Sequence, residues 1–457
     1  MMKNMKRVLA LLLMVVVCCT LTACKKEEAA NAETVTTTAA ATTGNPDDVM
    51  LTVGGKAVTR AQYEEYLATL VNYYANYGYD SSTDPELAAI LKQYALETGV
   101  EYAVLDLKLV ELGLSLSDEE KAAATQSAKE EWEATLQDGL AYYGITAESS
   151  EEDRANTLLT VLAELESMGY TEESYLADAI TFAGYDKLMN YVTRDVTVSD
   201  EDVVNYYNGL VEADKQTYEN DAAAYEQTMY MNDMYAMYGM TDYVTEIYYK
   251  PAGYRLVTHI LLEASEELLT AYTDLQAAYE EQQNTIEEGG EVTGELVTEA
   301  EIENARLAIL ADVQPKVDEI NQKLAEGATF AELIPLYSTD PGMMDEASIA
   351  AGYEVHMDST NWVIPFRDQA FTVSNIGDVT APVVTDYGVH IIQYVADVPG
   401  GPVELTEEMR ASFQESLLAS AQNEKYSAAI AEWVEAAEVV YSDEAKAILG
   451  ATEEAAQ

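Results

Sequence analysis

Between Asn361 and Tyr394 the hydrophobic period switches from helical to alternating. Trp362, Phe366, Ala370 and Phe371 recur at helical spacing, which predicts a short helix. Asn375 to Gly377 supplies residue types that tolerate tight-turn geometry, so the helix is expected to close there. Two β-branched runs follow, Asp378 to Val384 and Val389 to Val395, joined by Thr385-Asp386-Tyr387-Gly388. Strand, turn and strand predict a hairpin with glycine at the strained position. His390 opens the second strand beside the apolar pair Ile391 and Ile392.

The same reading extends to the rest of the sequence. Val49 to Val58 is a short strand and turn, and Thr59 with Gln62 forms a capping box that starts a helix. Residues 60–250 are mostly helical in pattern, with further starts at Ser117 with Glu120 and Ser199 with Asp202. Tyr73, Tyr74, Tyr77 and Tyr79 form one tyrosine cluster, Tyr243, Tyr248 and Tyr249 another, and Met229 to Met240 interleaves methionine with tyrosine. Such soft, amphipathic side chains suit ordinary helix core or a surface that binds many sequences weakly, and both readings stay open. Arg255 to Leu262 is a β run with His259 in its middle. Glu266 to about Gln283 and Glu301 to Leu324 read as long acidic helices split by Gly289-Gly290. Gly327 ends a helix, Thr329 with Glu332 caps the next, and Pro335 should shorten or kink it. After Pro399-Gly400-Gly401-Pro402, Leu405 to Tyr441 forms one or two amphipathic helices, and residues 443–457 read as a frayed acidic tail.

The first residues change the compartment. Lys3, Lys6 and Arg7 precede the apolar run Val8 to Val17, and small residues lead into Cys24, which predicts a signal peptide over 1–23. Cys18 and Cys19 leave with it, so Cys24 is the only mature cysteine and excludes an internal disulfide. Residues 24–48 lack an apolar period and read as a disordered tether. With 24 basic and 82 acidic residues the net charge is −58, near −61 once the leader is removed. Nucleic-acid binding is disfavoured at that balance, because phosphate contacts need Lys and Arg. The charge suits a solubilising surface, or a preference for basic unfolded clients.

Several separated motifs resemble the parvulin family of peptidyl-prolyl cis-trans isomerases in its bacterial extracytoplasmic form. Gly388-Val389-His390-Ile391-Ile392 is similar to the family's last strand, and Arg255 to Leu262 to its first, whose His259 would face His390 across the sheet. Tyr337-Ser338-Thr339-Asp340 is similar to the family's Tyr-Ser-x-Asp turn, and Leu21-Thr22-Ala23-Cys24 resembles a lipobox, in which Cys24 is acylated. Ala351-Gly352-Tyr353-Glu354-Val355 departs from the family's Gly-Gly-x-Leu-Gly, so the loop that lends an apolar residue to the proline pocket is altered. Relatives join the first strand to the first helix with far fewer residues, which implies a surface insertion over about 264–318.

The resemblance implies an α+β fold: a mainly helical chaperone domain over 49–250, completed by a C-terminal helix over 403–442, with a parvulin domain inserted over 251–398. Its small antiparallel sheet would be flanked by helices. It implies catalytic groups His259, Asp340, His390 and Thr385, pocket walls Trp362 and Phe366, and no cofactor or metal. The histidines could equally be a structural pair, and Asp340 a turn cap. The barrier to X–Pro rotation is roughly 18–20 kcal/mol. Lowering it needs an apolar grip on the ring and polar groups near the carbonyl. A membrane-anchored extracytoplasmic foldase acting on proline-containing secreted polypeptides is the expectation. A holdase with an inactive parvulin domain is the alternative, and a solute-binding lipoprotein a weaker one. Clients and oligomeric state, a homodimer included, are left open.

Overall fold

The computed structural model describes residues 44–167, 170–292, 294 and 296–455. The signal peptide, Cys24 and most of the expected tether lie outside the described residues. In sequence order run β1 (Val49–Val53), β2 (Lys56–Thr59), α1 (Arg60–Asn76), α2 (Pro85–Glu111), α3 (Asp118–Tyr142), α4 (Glu151–Ser167) and α5 (Glu172–Thr193). Then come α6 (Asp200–Tyr218), α7 (Ala222–Met237), β3 (Tyr249–Lys250), β4 (Arg255–Leu262), α8 (Glu266–Glu287), α9 (Glu299–Ala325) and α10 (Phe330–Tyr337). α11 (Glu346–Ala351), β5 (Tyr353–Val355), α12 (Ile364–Ala370), β6 (Val383–Thr385), β7 (Gly388–Asp397) and β8 (Gly401–Pro402) follow. α13 (Glu407–Ala436), β9 (Val439–Tyr441) and α14 (Asp443–Ala455) complete the described elements. The architecture is α+β, with small antiparallel sheets among many helices. Among the described residues no helix is long and apolar enough to cross a membrane.

The protein divides into two units, one reaching to Val198 and resuming at Glu415, the other Ser199–Gln414. In the first, β2, β1 and β9 form an antiparallel sheet whose central strand is β1. Met50, Leu51, Val53 and Val58 bury against Leu70 of α1 and Leu91, Leu96 and Val100 of α2. A second core joins Leu105 of α2 and Leu188 of α5 to Tyr426 and Ile430 of α13. The residues that follow the second unit thus finish the sheet and cover the helices that the N-terminal stretch began. The Thr59–Gln62 and Ser117–Glu120 boxes are both formed, each satisfying backbone donors that the first helical turn leaves free.

Residues 443–457, expected to fray, form a helix as far as Ala455. Ala445 is fully buried, and Ile448 and Leu449 pack beside it against the first core. The three recur at i, i+3 and i+4, a stripe the surrounding acidic residues conceal in a composition average. Arg60 makes a bidentate pair with Glu444, which ties the start of α14 to the start of α1.

In the second unit β5, β4, β7 and β6 form an antiparallel sheet in that order. Residues two apart on a strand share a face. Ile260 and Leu262 of β4, Val389 and Ile391 of β7 and Val384 of β6 point to one side, onto Ile309, Val313, Val317 and Ile320 of α9 and Phe330, Leu333 and Ile334 of α10. The stretch expected as a surface insertion over 264–318 therefore supplies core. Its acidic face is exposed, but a stripe of α9 at helical spacing is buried. The expected domain boundary near 250 also differs from the observed one at Val198. α6 and α7 belong to the second unit because Tyr207 donates to the Val403 carbonyl and Glu226 is buried against Tyr254 and Ser359.

Ala445→Asp is expected to lower the unfolding free energy by a few kcal/mol, since it buries an unpaired charge. Denaturant unfolding with an unchanged midpoint would mean that the C-terminal helix does not pack.

Candidate active site

The opposite face of the same sheet carries the polar residues singled out by the sequence. Val257 and His259 lie on it from β4, and pairing sets Ile392 opposite His259 and Tyr353 opposite Val257. His390 pairs with Val383, and Thr385 lies two residues further along β6. α12 covers this face with Phe366 and Ala370, which bury against Val257, Val355 and Ile392.

The helix that brings in Phe366 is shorter than its pattern suggested. It ends at Ala370, not at Asn375–Gly377, because Arg255 of β4 donates to the Ala370 and Val373 carbonyls at 3.2 and 2.9 Å. That cation satisfies acceptors a helix end leaves open, and it lies over the rings of Phe371 and Tyr394. The hairpin is also shorter on its first side, starting at Val383 rather than Asp378. Pro382 has no N–H to give the ladder, and upstream only an isolated bridge between Val379 and Gln393 continues it. The two-residue turn Asp386-Tyr387 closes on Gly388, whose φ is +135°. A Cβ there would lie 2.6 Å from the Leu262 carbonyl oxygen, so no side chain fits.

Asp340 arrives because β5 is too short to cover β4. Beyond Val257 that edge of β4 has no strand partner, and the segment after α10 takes it over. Leu261 N donates to Ser338 Oγ at 3.1 Å, Thr339 N donates to the Leu261 carbonyl at 2.9 Å, and His259 N points at Met343 Sδ at 3.4 Å. Between these contacts Asp340 Oδ2 lies 2.6 Å from His259 Nε2 and accepts from Tyr353 OH at 2.8 Å. Its Oδ1 accepts from Gly342 N at 3.0 Å, so the turn-cap role and the site role fall to different oxygens of one carboxylate.

The series of contacts continues through the sheet. His259 Nδ1 is 2.8 Å from His390 Nδ1, the rings stack at 5.0 Å, and His390 Nε2 is 2.7 Å from Thr385 Oγ1. Thr385 Oγ1 accepts from Tyr387 N at 3.1 Å. A carboxylate can only accept, so His259 Nε2 bears hydrogen. One proton per ring then satisfies every contact: Thr385 donates to His390, His390 to His259, and His259 to Asp340. Both histidines are about 5% exposed or less. The hydrogen bond from His259, joined by those from Gly342 and Tyr353, holds the Asp340 carboxyl well below the usual range although burial opposes it. Burial, reinforced by His259 and partly opposed by Asp340, pushes His390 down to about 3. Burial and the bond to Asp340 raise Tyr353.

Aromatic groups enclose the relay. Phe366 lies edge-on to His259 and His390 at 5.2 and 5.1 Å and is 2% exposed. Half-buried Trp362 packs on Phe366 at 5.3 Å and on Tyr353 at 4.9 Å, with its indole N–H donating to the Glu354 carbonyl. All six residues expected at the site are thus in one connected cluster. Cys24 lies outside the described residues. His356, the third histidine, is elsewhere, its Nε2 3.1 Å from the Ala252 carbonyl oxygen. Sequence reasoning missed Tyr353 as a site residue. The signal was available in the altered loop, since alternation along a strand after Gly352 turns Tyr353 to the same face as Val355.

The depressed His390 gives a pH dependence of stability with a definite sign. An unfolded histidine takes up a proton near pH 6.5, whereas the folded one does so only near 3, so stability falls as pH drops through that window. Relative to His390→Gln, the wild-type protein should lose up to about 1.4 kcal/mol per pH unit between pH 6.5 and 4.5. Denaturant melts in which the difference stays constant with pH would refute a buried neutral ring.

Residues 300–398 match the family described as the PPIC-type PPIASE domain. That stretch holds Asp340, Trp362, Phe366, Thr385 and His390 but begins after β4, so His259 joins the site through strand pairing. The protein is 36% identical over 121 residues to foldase protein PrsA 2 of Listeria monocytogenes, covering 26% of its own length and 39% of the relative. It is 32% identical over 111 residues to foldase protein PrsA of Geobacillus sp., covering 24% and 38%. The match thus spans less than half the length of these curated relatives. The solved structure of PrsA from Bacillus subtilis covers 86% of this protein and 91% of its own length at 16% identity, with a TM-score of 0.19, too loose a superposition to support an argument. Residues 300–398 are thus similar to the PPIC-type peptidyl-prolyl isomerase domain, and over part of its length the protein is similar to PrsA foldases.

Proposed function

We propose that this protein is a lipid-anchored extracytoplasmic foldase that isomerises X–Pro bonds in secreted polypeptides and also shields them as a chaperone. The observation that carries the catalytic part is the junction of two unlike environments. A hydrogen-bonded relay, Thr385–His390–His259–Asp340, has its two central imidazoles packed against buried Phe366, which lies beside half-exposed Trp362.

The chemistry follows from amide resonance. A planar amide places partial charge on its oxygen and nitrogen, and water stabilises that separation. Twisting the bond removes the resonance and returns the lone pair to nitrogen. An apolar wall that grips the proline ring strips water from the planar form and so favours the less polar twisted state. Trp362 and Phe366 supply such a wall. The neighbouring relay offers hydroxyl and imidazole groups that are already held in place, because every ring nitrogen has a partner, so the polar surroundings of the carbonyl need not reorganise as its charge changes. Asp340 anchors one end and sets the direction of the relay.

The chaperone part rests on α7 and the residues after it. Tyr230, Met237 and Tyr238 are 65%, 73% and 69% exposed, a run of soft apolar side chains with no cover in their own unit. Acylation of Cys24 would supply the anchor.

In a proline-peptide isomerisation assay, His390→Ala and Asp340→Ala should each lower kcat/KM by on the order of a hundredfold, the scale of a lost electrostatic contact at a reacting carbonyl. Unchanged rates in both would refute the site. Suppressed client aggregation without proline rate enhancement in the wild type would favour a holdase with an inactive domain. Separately, Cys24→Ala should move the protein from the membrane fraction to the medium in fractionated cells, and continued membrane retention would exclude the anchor.

A further inference from the structure

One buried acid of the second unit has no part in the relay. Glu226, on α7, is 6% exposed, and its partners are neutral donors. Its Oε1 accepts from Tyr254 OH at 3.1 Å; its Oε2 accepts from Ser359 Oγ at 2.7 Å and from Thr360 N at 3.3 Å. Burying a carboxylate costs free energy, and hydrogen bonds to it are stronger and more directional than those between neutral groups. A connector needed only for packing would not require a charge.

What Glu226 holds is the loop that delivers Trp362. Ser359 is fully buried, its hydroxyl bound to Glu226 and its carbonyl to Arg367 Nη1 of α12 at 3.2 Å. Asn361 N donates to Ser359 Oγ at 3.3 Å, which carries the constraint to the residue next to the indole. The Trp362 ring N–H donates to the Glu354 carbonyl, its ring packs on Phe366 and Tyr353, and it lies outside α12, so its backbone is set by the loop. Tyr254 adds a second tie, because it immediately precedes Arg255 of β4 and packs against Tyr225 of α7.

We propose that Glu226 is a positioning residue for the pocket: a carboxylate on α7 that sets the Ser359–Trp362 loop and thereby the angle of the indole over Phe366. This rests on the isomerase reading of that pocket. It also makes α7 part of the machinery that shapes the site, in addition to any surface it offers clients.

The test combines kinetics with fluorine NMR on the full-length protein labelled with 5-fluorotryptophan, whose three signals come from Trp132, Trp362 and Trp433. Glu226→Ala should shift or broaden the Trp362 signal alone and lower kcat/KM on the order of tenfold, mainly through KM, because the wall grips the ring. Glu226→Gln, which keeps an acceptor for Ser359 and Thr360, should recover part of both effects. Ser359→Ala, which removes one bond and little volume, should move the same signal. An unmoved Trp362 signal in Glu226→Ala and Ser359→Ala would overturn the proposal. So would an equal disturbance of all three signals in both variants, since that marks general loss of fold. If the wild type proves inactive, the isomerase reading fails by itself, and a selective Trp362 shift still establishes the positioning.

Discussion

The hydrogen bond between Asp340 and His259 is the constraint on which the site depends. A stack of two buried imidazoles is unfavourable unless each nitrogen finds a partner, and the carboxylate supplies the end that decides all the others. With Asp340 ionised and accepting, His259 must present its hydrogen to it, His390 must donate to His259, and Thr385 must donate to His390. Removing the carboxylate would leave two equivalent orders for the protons. The acid is therefore held by Gly342 and Tyr353 as well, and the local turn keeps it in place.

The relay also explains why the sheet cannot slip. β4 alternates between two duties, with His259 on the site face and Ile260 and Leu262 on the face packed against α9 and α10. A shift of one residue against β7 would put imidazole into an apolar core and Thr258 or Ile260 against Asp340. Gly388 adds a local lock, since its backbone runs so close to Leu262 that the turn can be placed only one way. Fold stability and site geometry are thus consequences of one register.

Local signals in the sequence were legible and distant ones were not. Capping boxes at Thr59, Ser117, Ser199 and Thr329 depend on residues three apart, and all four are formed. The histidine-bearing strands and the turn between β6 and β7 depend on alternation and glycine, which are equally local. The end of α12 was misplaced because its cap, Arg255, comes from another strand 115 residues earlier. α14 was hidden by acidic neighbours that average away a three-residue apolar stripe. The part of α9 expected to be a surface insertion was misjudged for a related reason: its exposed face is acidic, while Ile309 and Val313 face the sheet. α7 was assigned to the wrong side of a boundary because one buried acid, Glu226, ties it to residues more than a hundred positions away.

The loop that departs from the family pattern does not leave the pocket unwalled. Gly352 adopts φ +61° where a Cβ would lie 2.9 Å from the Val257 carbonyl oxygen, so glycine is needed for the backbone to reach β5 this close to β4. Tyr353 follows at once. Its ring lies 4.9 Å from Trp362 and 5.5 Å from His259 and so adds to the aromatic wall. Its hydroxyl adds a donor to Asp340 that helps keep the acid ionised beside the aromatic wall. Tyr353 joins the apolar and polar halves of the site in one residue. Losing the whole Tyr353 side chain would then disturb the wall and the relay together, whereas Trp362 and Thr385 each belong to only one.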